Sequence, residues 1–60
     1  MLNVVGKILK FAGKAIAKYG KAVWDAIVNF AKNNWKTVAR WIAEWGVWEA
    51  IEQIANYLGF

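Results

Sequence analysis

Cysteine, histidine and proline are absent from this sequence. Without Cys no disulfide can staple so short a chain, and without Cys or His no ordinary zinc site can form. Without His nothing activates the only hydroxyl nucleophile candidates, Tyr19, Thr37 and Tyr57. Acids are few: Asp25, Glu44, Glu49 and Glu52. All four are expected on solvated helix faces, and capping and solubility explain Glu49 and Glu52 more simply than a catalytic pair. No glycine-rich phosphate loop occurs, because Gly6, Gly13 and Gly20 recur at sevens within a helical pattern, not after a strand. Neither an enzyme nor a cofactor or metal is expected. No apolar run reaches about 18 residues, so no standard transmembrane helix is expected. Lysines every three or four residues from Lys7 to Lys21 break up the apolar region that a secretory signal needs. If secreted, the protein is expected to leave as translated.

What remains is apolar and basic. Sixty residues make one domain, 1–60, and a chain of this size buries only about 60% of the surface its unfolded form exposes. The composition is 60% hydrophobic. So small a core cannot hide all of that, and some apolar surface must face outward. The net charge of +4 is unevenly spread. Residues 1–24 carry five Lys and no acid. Residues 25–43 carry Lys32, Lys36 and Arg40 against Asp25. Residues 44–60 carry Glu44, Glu49 and Glu52 and no base.

There is no strand-like alternation, and apolar residues recur at helical spacing throughout. The fold class is therefore all-α, a compact bundle of four short helices. The first is expected from Asn3, as N-cap, to Tyr19, with Gly20 as its stop. A bend at Gly13 would divide it in two. The second is expected over Lys21–Lys32, the third over Trp35–Trp45 after a cap at Asn34, and the fourth over Val47–Leu58 after Gly46. Gly6 and Gly13 are expected to admit a close neighbouring helix. The inner stripes are Val23, Ile27, Phe30 and Ala31, then Trp35, Val38, Ile42 and Trp45, then Val47, Ile51, Ile54 and Leu58. Val28 is left among polar residues.

The first helix carries the functional signal. Lys7, Lys10, Lys14, Lys18 and Lys21 are spaced 3, 4, 4 and 3 apart. At about 100° per residue the first four fall within an arc of roughly 80°. Leu2, Val5, Ile8, Leu9, Ala12, Ile16 and Tyr19 lie opposite. A single-signed cationic row backed by apolar residues suits an anionic membrane surface, where each lysine contributes about 1 kcal/mol. Nucleic acid is the weaker reading, because the acidic final segment would repel phosphate and no nucleic-acid fold is recognisable. Five Trp is a heavy load, and Trp favours the membrane–water interface. Trp35 and Trp45 are expected in the core, and Trp24, Trp41 and Trp48 on stripe edges, either facing lipid or packing at the rim. The candidate membrane-contact set is thus Lys7, Lys10, Lys14, Lys18, Lys21, Lys32, Lys36 and Arg40 with Trp24, Trp41 and Trp48.

The segment Ala17-Lys18-Tyr19-Gly20-Lys21-Ala22-Val23 resembles one in leaderless bacteriocins of the aureocin and lacticin type. The chain is also similar to them in being small, basic, Trp-rich and Cys-free. The resemblance implies a saposin-like bundle, monomeric in solution. It implies secretion by a Gram-positive bacterium and permeabilisation of the anionic membranes of related bacteria, with no obligatory protein receptor. By position, Lys18, Tyr19, Gly20 and Lys21 correspond to the family's first helix link. This chain is longer and ends acidic where those members end basic, so its last helix has an alternative role, pairing with the lysine faces. Two other readings stand beside this one. One is a circular bacteriocin, its Met1-Leu2 joined to Gly59-Phe60. The other is a small soluble interaction module.

Overall fold

Two glycines organise the chain. Gly20 has φ 92° and ψ 162°, and Gly46 has φ 89° and ψ 168°, a region of backbone space essentially closed to residues with a Cβ. Each donates its N–H to the helix behind it, Gly20 to the Ile16 carbonyl and Gly46 to that of Ile42, both at 2.8 Å. Each carbonyl then accepts from the helix ahead, at Trp24 and Ala50. One residue thereby ends a helix, turns the chain and starts the next.

The structure, a computed structural model, describes residues 3–60. It is all-helical among those residues: α1 Val4–Leu9, α2 Ala12–Tyr19, α3 Lys21–Asn33, α4 Trp35–Trp45 and α5 Val47–Tyr57. Leu2 and the Met1-Leu2 side of the ring junction lie outside the described residues. The Cα radius of gyration is 10.1 Å, matching the roughly 10 Å of a compact chain this long. The most extensive pairing is between α4 and α5, followed by α2 with α3 and α1 with α3.

The expected first helix is two helices, and its break is not at Gly13. It lies at Lys10 and Phe11, where the Phe11 N–H bonds the Ile8 carbonyl three residues back at 2.9 Å. The reason is the position of Phe11. On an unbroken helix it would project about 20° beyond Lys18, at the edge of the lysine row. The break instead lays Phe11 against the core and beside Trp48, ring centroids 5.9 Å apart. Neither helical glycine admits a neighbouring helix. The Asn3 side chain folds over Gly6, where an added Cβ would meet it, and nothing lies within 4 Å of one added at Gly13. Asn3 makes no side-chain cap. Asn34 does not cap α4 with its side chain either; its Nδ2 donates backward to the Phe30 carbonyl of α3 at 3.2 Å.

The core joins Val4, Ile8, Ala15, Trp24, Ile27, Ala31, Val38, Ile51, Ile54 and Ala55. On α1 and α2 the buried residues are Val4, Ile8 and Ala15, so the inward direction is rotated toward the lysine row from the centre of the expected apolar face. Leu9 is consequently left 49% exposed. On α3 the inner stripe is Trp24, Ile27, Val28 and Ala31, at i, i+3, i+4 and i+7. Val28, expected among polar residues, packs against the core.

Candidate membrane-contact surface

Lys7, Lys10, Lys14, Lys18 and Lys21 are all exposed, but they do not ride on one helix. The row crosses α1, the junction, α2 and the first residue of α3. Lys32, Lys36 and Arg40 are exposed as well. Among the described residues two ion pairs form, Lys18–Glu52 at 2.6 Å and Lys21–Asp25 at 2.9 Å. Six of the eight cations, all but Lys18 and Lys21, therefore stand outside ion pairs.

The Lys18–Glu52 pair ties α2 to α5, so the acidic last helix does pair with the lysine face. The hydrogen bond to Glu52 raises the Lys18 pKa above its ordinary value, and the same bond lowers that of Glu52. Next to the pair, Trp48 of α5 lies under two cations. Lys14 Nζ is 4.2 Å from the ring centroid and Lys18 Nζ is 5.8 Å away, both within cation–π range. Phe11 touches the same ring system. Phe11, Lys14 and Lys18 thus form a clasp on Trp48 and Glu52. Lys18 Nζ also lies 5.2 Å from the Tyr19 ring, and Lys36 lies over Trp35 at 5.7 Å.

A different aromatic group spans α3, α4 and α5. Phe30 stacks on Trp41 at 6.1 Å and 6°, Trp41 on Trp45 at 6.3 Å and 20°, and Phe30 meets Tyr57 at 5.2 Å. Trp48 and Tyr57 are nine residues apart on α5, which places them on opposite sides of that helix. Trp45 and Tyr57 are 47% and 69% exposed. Trp45 borders a shallow groove shared with Glu49, Glu52, Gln53 and Asn56, so its surroundings carry negative charge.

Two Trp assignments from the sequence exchange places. Trp24, assigned to the lipid interface, is 4% exposed and belongs to the core, because it begins the true inner stripe of α3. Trp45, assigned to the core, is exposed. It continues the Val38 stripe into the last turn of α4, adjoining the polar residues of α5. Trp41 and Trp48 are half-buried, both packed against the core. Of the clasp residues, Phe11 was not singled out from sequence, and Glu52 was expected only on a solvated face of the last helix. The available signal for Phe11 was a large apolar side chain at the edge of the lysine arc. Among the described residues no cluster of acids or other ligands suits a metal ion, and no helix is long and apolar enough to cross a membrane. No protein-family model matches the chain, and no curated protein or solved structure matches it either.

Proposed function

We propose that the protein is a secreted antimicrobial of the leaderless bacteriocin kind that permeabilises the anionic membranes of target bacteria. Its five helices are then a saposin-like bundle whose first helix is broken. The observation that carries this reading is that one small fold leaves six cations outside ion pairs and also leaves Leu9, Trp45, Tyr57 and Phe60 exposed. A folded chain that needed only solubility would have little use for a single-signed row on one side and unburied aromatics elsewhere on its surface.

The clasp suggests how binding begins. Lipid phosphates compete with Glu52 for Lys18 and with the Trp48 ring for Lys14. Once those contacts are exchanged, α2 has little else holding it to α5, and Trp48 is freed toward headgroup depth. Apolar residues of α1 and α2 then trade protein neighbours for acyl chains. The exchange is accessible because a small core without staples is marginal.

Dye release from vesicles tests the proposal. Vesicles rich in phosphatidylglycerol should leak at low salt, phosphatidylcholine vesicles should hold, and added salt should suppress the leak. Equal release from both lipids would remove the electrostatic step.

A further inference from the structure

We propose that the groove between α1 and α4 binds one acyl chain of an anionic phospholipid, with the lipid phosphate at Lys7. The inference rests on the membrane reading and adds a specific lipid site to it. The groove is lined by Asn3, Val4 and Lys7 on one side and Ala39, Ile42 and Ala43 on the other. Its volume is about 300 Å³, at the lower end of the roughly 300–1,000 Å³ of pockets that hold small molecules.

Size and charge select the occupant. Ala39 and Ala43 lie one turn apart on α4, and their short side chains leave the space open. A helix with its side chains is about 10 Å across and would rest over this groove without filling it. A polymethylene chain is thinner and meets Val4, Ala39, Ile42 and Ala43 along its length. Lys7 is the one charged residue among those lining the groove, it is exposed, and it joins neither ion pair. An apolar slot with a single cation at its rim complements an amphiphile with one chain and one anion. A zwitterionic headgroup would bring its own cation to Lys7 and lose that advantage. The site is separate from the α2–α5 clasp, so the folded protein can hold a lipid before α2 lets go.

The test uses the full chain and monomeric lysophosphatidylglycerol below its micelle concentration, followed by methyl NMR. The site requires saturable one-to-one shifts at Val4, Ala39, Ile42 and Ala43. Lys7→Gln should weaken binding about fivefold. Ala43→Leu, which fills the slot, should weaken it about tenfold or more. Ala39→Leu serves the same purpose should Ala43→Leu lose its helical circular dichroism. Equal affinity for lysophosphatidylcholine, shifts that map elsewhere, or the same shifts on concentrating the protein without lipid would each overturn the site. Leakage assays on the same samples separate the two proposals. Vesicles that leak without any lysolipid binding refute the groove alone. Lysolipid binding without leakage upholds the groove and refutes permeabilisation.

Discussion

Helices α2, of 8 residues, and α5, of 11, are both amphipathic, yet they are held differently. The α5 helix buries Ala50, Ile51, Ile54 and Ala55, whereas α2 buries only Ala15. The acidic helix is anchored by its buried apolar face; the basic helix packs on α3 through Ala15 and half-buried neighbours and meets α5 through side chains at its edge. Those edge contacts, Lys14 on Trp48 and Lys18 on Glu52, are electrostatic and exposed, so an anionic surface competes for them directly. Burial resists such competition, because no headgroup can replace a packed isoleucine. The contrast divides the molecule into a part that keeps it folded and a part free to respond.

The largest effect should come from emptying the responsive part of charge. Neutralising Lys7, Lys10, Lys14 and Lys18 together to Gln should cost about 4 kcal/mol of binding to anionic vesicles. That is roughly a thousandfold, read by co-sedimentation, while helicity is retained. A quadruple variant that still binds and kills as the parent does would end the membrane reading.

Next comes the anchored part. Ile51→Ala should lower unfolding stability by about 3 kcal/mol in urea titrations, a large share of what so small a domain has. Ile16→Ala on α2, where the side chain is only half-buried, should cost clearly less. Equal losses would erase the distinction between the helices.

A smaller change of opposite sign is expected at Gly13. A Cβ there meets nothing within 4 Å, so Gly13→Ala should stabilise the protein by up to about 1 kcal/mol. A destabilised variant would mean that α2 is more tightly packed than described.

The smallest effect concerns pH. Glu52 has a lowered pKa when folded, so its contribution is present above its ordinary value of about 4.5 and is lost as pH falls through the lower folded value. Lys18 has a raised pKa, so its contribution is present below about 10.5 and is lost as pH rises through the higher folded value. The clasp therefore holds across the neutral range. Glu52→Gln should flatten the acid side of a thermal-melt profile and slightly increase affinity for anionic vesicles. An unchanged acid limb in that variant would assign the clasp no role.

Much of this was legible along the chain. The links at Gly20 and Gly46 were readable because each glycine stands alone between two helical patterns and adopts a backbone that other residues avoid. Ile27, Val38, Ile51 and Ile54 were readable as core because each lies near the middle of its apolar stripe. The break at Lys10 and Phe11 was not, because neither residue is a helix breaker. It follows from where the Phe11 ring finds partners. Trp24 and Trp45 were misplaced for a related reason. Periodicity gives the direction of an apolar stripe to within some tens of degrees and says nothing of how far along it the neighbours extend.

Helical character, the one-residue turns and the imbalance of charge were determined by sequence alone, since backbone preference, periodicity and formal charge are local properties. Which tryptophan is sheltered, which lysine is engaged and which helices bury fewest residues were decided only by tertiary structure. Those outcomes depend on contacts between α2 and α5, or α3 and α4, that no single stretch of chain contains.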